Sequence, residues 1–411
     1  MMRWLLLASL LGSALAGDFT VKIQAKQAMS YPPGFAVPTA AETPKAWLDA
    51  LDAAVAAGKI PNIAPATMKD GNPVYANNVG LDPKTCSWTV TKCITPTDIV
   101  NVPDNHIAVS FDDGPTGVSG DLYTFLSQNN QSATHFMIGS NVLSYPKQFA
   151  QALKQGNQHF AVHTWSHKYC TTLTNQQLVA ELGWTMQIIA DSSGGYMPKF
   201  WRPPYGDVDN RVRAIAEELF GLTNVLWNHD TNDWCLQDNG PSECPGQVPG
   251  KDYASVAAAA NAGVNGPKTP GLMMLEHELS HESIKVFKTY YPSLKGLGWI
   301  PNNVPDMFSL PWYKNAANDK AAPQKSSILL TAAFGSSPSN VTLNATPSNS
   351  TITQQSNSTS GAAGTQVTGA LASPSASAAA EHSTSGALAF APASLGVAGL
   401  ATLAVIAATL L

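Results

Sequence analysis

Residues 107–115 read Ile-Ala-Val-Ser-Phe-Asp-Asp-Gly-Pro. A short apolar run is closed by two adjacent carboxylates and a Gly-Pro turn, the pattern of a buried strand that ends at a polar site. The same pattern recurs downstream. Residues 135–138, 159–162, 200–201, 222–227 and 272–275 read as further short strands. Between them lie helix-compatible stretches: one carrying Leu122, Phe125 and Leu126, then 145–155, 174–190, 208–219, 255–262 and 283–291. Thr174 suits an N-cap, and Leu178, Leu182, Met186 and Ile189 follow at helical spacing. Strands alternating with helices predict a parallel sheet. About seven such repeats over roughly 220 residues predict an α/β fold, a distorted (β/α) barrel of about seven parallel strands. An open doubly wound sheet is the alternative, but no glycine-rich phosphate loop supports it.

Composition narrows the function. Of 411 residues, 44% are apolar and only 12% charged, with a net charge of -5. No long basic run occurs, so no nucleic-acid partner is expected. Long apolar runs occur only at the two ends, which disfavours a polytopic membrane protein.

Both ends read as processing signals. Arg3, the apolar run 4–11 and Ala14-Leu15-Ala16 predict a signal peptide over 1–16, cut before Gly17, and hence a secreted protein. Residues 17–95 form an irregular N-terminal extension, a cap or prosegment with no assigned role. Within it, 43–57 has helical spacing with Trp47, Leu48, Leu51 and Val55 on one face. Residues 96–315 would form the main domain. Residues 326–386 read as a disordered Ser/Thr-rich stalk; after Lys325 the only charged residue is Glu381. Sequons at Asn340, Asn344, Asn349 and Asn357, and Asn130 in the folded part, are candidate glycan acceptors. Ser383, Ser385 and Gly386 precede a hydrophobic tail within 387–411, the order of a GPI-attachment signal. A retained transmembrane helix would carry flanking Lys or Arg, and none is present. The expected location is the outer face of the plasma membrane and the cell wall of a eukaryote, held by a GPI lipid. Secretion permits disulfides. Cys235 with Cys244 is one candidate pair and Cys86 with Cys93 another; Cys170 makes the count odd.

The polar residues that could do chemistry follow the strands. Asp112 and Asp113 close the first. His163-Thr164-Trp165-Ser166-His167 places two imidazoles four residues apart, a spacing that can converge on one ion. With Asp113 they make three protein ligands and leave room for water, which is a catalytic rather than a structural count. In Trp201-Arg202-Pro203-Pro204-Tyr205-Gly206, Arg202 can orient a carboxylate and the Tyr205 N–H can face an oxyanion. Asp230-Thr231-Asn232-Asp233-Trp234 and Leu275-Glu276-His277-Glu278 follow the last two strands, and His277 is a candidate proton donor. Each cluster alone also reads as an ordinary turn, a surface histidine pair or a structural arginine. Five of them, each after a strand, do not read so together.

The set SFDDGP, HTWSH, RPPYGD, DTNDW and LEHE resembles the five motifs of the polysaccharide deacetylases of carbohydrate esterase family 4, over roughly residues 100–300. With the anchor-type tail, the likeness extends to the fungal cell-wall members that deacetylate chitin. The resemblance implies a NodB-type barrel and hydrolysis of N-acetyl groups on an N-acetylglucosamine polymer, giving chitosan and acetate. It implies Asp112 as base; Asp113, His163 and His167 as ligands of a divalent metal, zinc or alternatively cobalt; and Arg202 as the partner of Asp112. It further implies the Tyr205 N–H as oxyanion donor, His277 as acid held by Asp233, Trp234 and Leu275 as the pocket for the acetyl methyl, and Tyr205 with them as substrate-binding residues. Ser110 and Glu278 depart from the commoner Thr and Asp of the pattern. An O-acetyl esterase on another wall glycan, or an inactive wall-binding mannoprotein, are the competing readings. No obligate protein partner is implied.

Overall fold

The structure is a computed structural model that describes residues 30–330. The expected signal peptide, the sequons Asn340, Asn344, Asn349 and Asn357, the anchor candidates Ser383, Ser385 and Gly386, and the hydrophobic tail lie outside the described residues.

Eleven strands are described, and two of them, β1 (Thr67–Lys69) and β2 (Asn72–Val74), form an antiparallel hairpin in the N-terminal extension. The rest build the barrel: β3 (His106–Ala108), β4 (Ser110–Gly114), β5 (Ala133–Met137), β6 (Gln158–Val162), β7 (Phe200–Trp201), β8 (Thr223–Asn224), β9 (His229–Asp230), β10 (Leu272–Leu275) and β11 (Ile300–Asn302). Every pairing among these nine is parallel. One sheet runs β4-β5-β6-β7-β8 and the other β11-β3-β10-β9. A single parallel bridge, Asp112 with His277, joins the two sheets, and another, Ile99 with Val225, lays the chain before β3 beside β8. The result is the distorted parallel barrel that the alternation predicts.

Three elements differ from the sequence reading. The strand expected over 107–111 is two strands, because the chain leaves one neighbour for another at Val109. The Val109 N–H donates to Asn302 O at the floor, while its carbonyl accepts from Thr134 N–H on β5. The stretch 222–227 forms a strand only at Thr223–Asn224, with Val225 in a single bridge to Ile99, and pairing resumes at His229–Asp230, which lets one ribbon serve both sheets. The helix expected over 145–155 is Pro146–Gln155, preceded by a separate short helix, Gly139–Ser144, which brings Asn141 Nδ2 to the carbonyl oxygen of Asp113 at 2.7 Å.

Side-chain alternation on the strands sorts the interior. Ala108, Phe136, Ala161, Phe200, Val225 and Met273 pack together inside the barrel, and the short helix Val304–Met307 closes its floor. Continuing two residues at a time toward the strand ends gives Ser110 and Asp112, His163, Arg202, and Leu275 and His277. The alternation that buries the floor therefore aims these polar side chains into the mouth. The outward residues pack under the helices, among them Asn175–Ser192, which starts at the expected Thr174 N-cap; the structure extends that cap to a capping box with Gln177.

The extension is built into this body. Its helix, Lys45–Ala56, buries Trp47, Leu51 and Ala54; Val55, expected on the same face, is 46% exposed because the contact stripe turns toward Ala54. Trp47 lies over Gly183, where a Cβ would come within 2.5 Å of the indole, and edge-on to Trp184. Residues 85–99 then run along the barrel wall. At the other end Ile328 is buried and the Leu330 N–H donates to Leu219 O, so packing continues into the stretch read as stalk. Cys86–Cys93 and Cys235–Cys244 are disulfides and Cys170 is a buried free thiol. Among the described residues no helix is long and apolar enough to cross a membrane.

If the extension folds with the barrel, Trp47→Ala removes a fully packed aromatic from a shared core and costs about 3–5 kcal/mol. Urea unfolding followed by tryptophan fluorescence should show one transition moved to lower denaturant. A separate early transition with the main midpoint unchanged would show that the extension is an independent flap.

Candidate metal centre and catalytic site

Each motif residue sits at or just beyond the end of a strand. Asp112 and Asp113 are in β4; His163 follows β6, Arg202 follows β7, and His277 lies two residues beyond β10. Asp113, His163 and His167 come together, each offering an atom within 4.8 Å of the others. The Nε2 atoms of His163 and His167 lie 3.2 and 3.1 Å from Asp113 Oδ1.

Hydrogen bonding decides what these atoms present. His163 Nδ1 lies 2.7 Å from the carbonyl oxygen of Arg202, which can only accept, so Nδ1 carries the proton. In neutral His163 the Nε2 lone pair then faces a carboxylate oxygen that is itself buried without a hydrogen-bond donor. Two lone pairs at 3.2 Å repel unless a cation lies between them. Two imidazole nitrogens and one carboxylate oxygen form a donor set suited to a divalent transition metal. Burial pushes the Asp113 carboxyl up, but the nearby His167 and His163 outweigh it and hold the group well below the usual carboxylate range. The residues present fit the implied metal.

Asp112, the neighbour that is not part of this set, turns the other way. Its Oδ1 takes a 2.6 Å charge-assisted bond from Arg202 Nη1, and its Oδ2 stays 3.7 Å from His163 Nε2. Arg202 is fully buried; its Nη2 donates to Ser110 Oγ at 3.3 Å, and its guanidinium lies over the Phe136 ring at 4.1 Å. Burial lowers the Arg202 pKa, and Asp112 opposes that change. The serine that replaces the commoner threonine of the resemblance therefore still anchors the arginine.

Across the mouth, Asp233 grips His277 twice. Its Oδ1 is 2.7 Å from His277 Nδ1, and its Oδ2 accepts the His277 backbone N–H at 2.8 Å. Burial disfavours the imidazolium, but Asp233, with Asp113 and Asp112 behind it, raises the His277 pKa to about 10. Leu275 is 6% exposed at the end of β10, and Trp234 is half-buried beside Asp233. Tyr205 is 45% exposed, its ring stacked on Tyr169 at 4.0 Å and tilted against His167 at 4.8 Å. Asp230 is exposed and accepts from the Asn232 N–H. Asn130, just beyond the helix Ser119–Gln128, is exposed, and its sequon serine, Ser132, is buried.

Five non-glycine residues of the site have left-handed backbone: Asp113, Thr164, His167, Tyr205 and Asn232. Such conformations cost about 1–3 kcal/mol each and persist only where surroundings fix them. Glu181 is one of the groups that fix them, and sequence reasoning missed it. Its carboxylate accepts from the N–H groups of Trp165 and Ser166 at 2.7 and 2.8 Å and from Ser166 Oγ at 2.5 Å, holding the loop between the two histidines. Burial raises the Glu181 pKa to about 7 against the pull of those bonds. The available signal was a lone acid on the apolar side of the helix 174–190.

A family model described as polysaccharide deacetylase matches residues 99–225. Chitin deacetylase 3 of Cryptococcus neoformans var. neoformans serotype D (strain JEC21) is 49% identical over 290 residues, covering 70% of this chain and 67% of its own. Chitin deacetylase 2 of C. neoformans var. grubii is 42% identical over 245 residues, covering 58% and 52%. Among solved structures, the chitin deacetylase from the fungal pathogen Colletotrichum lindemuthianum aligns with 54% of this chain and 96% of its own, at 21% identity and a TM-score of 0.46. The chain belongs to the polysaccharide deacetylase family. The matched segment contains Asp112, Asp113, His163, His167, Arg202 and Tyr205, and it ends before Asp233 and His277, which the barrel brings back to the same mouth.

Calorimetric titration of metal-stripped protein with zinc should show one tight site. His163→Ala and His167→Ala should each weaken it by more than the roughly 10–100-fold cost of losing an outer-shell partner. Unchanged zinc affinity in either variant would remove that histidine from the ligand set.

Proposed function

We propose that the protein is a metal-dependent chitin deacetylase that hydrolyses the N-acetyl amide of N-acetylglucosamine residues and releases acetate. The observation that carries the reading is two differently held groups beside one donor set. Next to Asp113, His163 and His167 stand a carboxylate, Asp112, fixed by Arg202 through Oδ1, and its bridge partner on the adjoining strand, the His277 imidazole held by Asp233. The relatives named chitin deacetylase support the substrate class.

Asp113, His163 and His167 would hold the ion, and zinc is the proposed occupant. A divalent ion there supplies Lewis-acid polarisation of the acetyl carbonyl and a lowered pKa for the attacking water. Arg202 fixes Asp112 through Oδ1, so Oδ2 is the oxygen that takes the water proton. The Tyr205 N–H, carried on left-handed backbone beside His167, is the proposed donor to the developing oxyanion. An amine anion is too basic to leave, so the nitrogen must gain a proton as its bond to carbon breaks. His277 carries that proton, and Asp233 holds its ring in place. The balance is amide plus water to free amine plus acetate. Leu275 and Trp234 would wall the methyl pocket.

We further propose secretion, glycosylation at the sequons, and GPI attachment at Ser383, Ser385 or Gly386 at the plasma membrane and wall. These readings rest on the sequence patterns of the two ends. Their test is release of the cell-bound protein by a phosphatidylinositol-specific phospholipase.

Asp112→Asn should lower kcat for acetate release from chitin oligomers by about 10²–10⁴-fold, the usual worth of a general base. Wild-type protein that releases acetate from acetylated xylan but not from chitin oligomers would move the reading to an O-acetyl esterase. The acid must be protonated to work, and the His277 pKa is raised, so activity is retained through neutral pH and lost as pH rises. Because a bound divalent cation opposes the two aspartates, the alkaline limb of kcat should fall at or below pH about 10. Asp233→Asn removes the main charge that raises it and should move that limb down by about one pH unit or more. An unmoved limb would exclude His277 as the acid.

A further inference from the structure

Asp207 closes the third motif, and the proposed mechanism gives it no part. It is fully buried and joins three separate segments. Its Oδ2 accepts the Thr171 backbone N–H at 2.8 Å and Thr171 Oγ1 at 2.8 Å, four residues beyond the ligand His167. Its Oδ1 accepts Thr89 Oγ1 at 2.8 Å, from the loop that the Cys86–Cys93 disulfide closes in the N-terminal extension. Asp207 itself lies two residues beyond Tyr205.

Other contacts tighten the same junction. The Trp88 N–H donates to Val208 O at 3.0 Å. The Trp88 indole lies against Gly206, where a Cβ would come within 2.7 Å of it; Gly206 has φ +67°, so the position needs both the missing side chain and the left-handed backbone. Arg213 Nη1 and Nη2 donate to the carbonyls of Cys86 and Cys93, at 2.6 and 3.0 Å, and the same guanidinium pairs with buried Asp98. Arg211 Nη2 holds Thr171 O at 2.9 Å from the other side. The extension is thereby fixed to the barrel at both ends of its disulfide loop, and the loop in turn touches the carboxylate that ties the His167 segment to the Tyr205 segment.

We infer that Asp207 is a positioning residue and that the 86–93 loop, through Thr89 and Trp88, is a working part of the site: together they hold the ligand loop ending at His167 and the oxyanion loop at Tyr205 in one register. His167 and Tyr205 both have left-handed backbone, and the only regular elements in their loops are the single 3-10 turns Cys170–Thr172 and Pro204–Gly206, with no strand or α-helix to hold either loop there. A shift of the Thr171 or Asp207 backbone would move the His167 imidazole relative to Asp113 and the Tyr205 N–H relative to the acetyl oxygen at once. Groups behind a metal ligand commonly change metal affinity or activity by 10–100-fold when removed. The inference rests on the proposed metal site and reaction, and its test reads the two separately.

The test uses the full chain and three variants, Asp207→Asn, Thr89→Val and Thr89→Ser. Asparagine keeps the shape but cannot accept from both Thr171 and Thr89 as a carboxylate does; valine keeps the volume of Thr89 and loses the donor, whereas serine keeps it. Zinc affinity is measured by calorimetry, acetate release by steady-state kinetics, and Tm by circular dichroism. Asp207→Asn should bind zinc about tenfold more weakly and lose about tenfold in kcat with KM nearly unchanged, and Thr89→Val should change both in the same direction by less. Thr89→Ser should match the wild type. If Asp207→Asn and Thr89→Val lower Tm and leave zinc affinity and kcat at wild-type values, the junction is structural only and the inference is overturned. If the wild type releases no acetate while Asp207→Asn still weakens zinc, the positioning inference stands and the deacetylase reading falls.

Discussion

Two backbone hydrogen bonds close the barrel at its mouth. The Asp112 N–H donates to Glu276 O, and the Glu278 N–H donates to Asp112 O. This short parallel bridge is where two sheets that otherwise run apart become one wall, and it sets Asp112 level with His277. The proposed base and the proposed acid are thus registered by the main chain rather than by side-chain rotamers. Once that register exists, the period of two along β4, β6 and β7 delivers Asp112, His163 and Arg202 to the same enclosed space. Beneath the bridge, Glu278 pairs with His135 at 2.9 Å in full burial, and the room for it exists because residue 114 is glycine. The glutamate that departs from the commoner aspartate of the family pattern therefore has a partner of its own.

Much of this was legible in the chain before the structure. Short apolar runs ending in Asp, His or Arg announced a parallel barrel and the polar rim at its mouth, because the ends of buried strands combine an apolar stem with a polar tip. The long helix was legible from Thr174 and its spacing. Other features were hidden because they depend on neighbours far away in sequence. Nothing local indicates that Val109 must change partners, since the cause is Asn302 on one side and Thr134 on the other. Val55 has the right spacing for the core, but the helix is rotated by where Trp47 finds Gly183. Asp207 stands in the RPPYGD motif with no role read from the sequence, and its meaning comes from Thr89, over a hundred residues earlier.

The extension changes most between the two views. Its proline-rich sequence and single amphipathic helix suggested a cap or prosegment. Its packing instead distributes it around the barrel: Trp47 on the long helix, Tyr75 on Asp209, and Trp88 on Gly206. Small apolar anchors spaced along irregular chain leave no periodic signal, which is why sequence pattern understated it. The segment matched by the family model begins at residue 99, so the supports that reach the site from 85–98 lie outside the matched segment.

The central claim is that one cation is shared by two imidazoles and a single aspartate, with the second aspartate left free to act on water. X-ray absorption at the zinc edge of the loaded full-length protein measures this directly. The account predicts a light-atom shell of two histidine nitrogens at about 2.0–2.1 Å and carboxylate and water oxygens at about 2.0–2.2 Å, with the outer-shell scattering of two imidazole rings. A spectrum with sulfur in the first shell, or with no imidazole scattering, would contradict it.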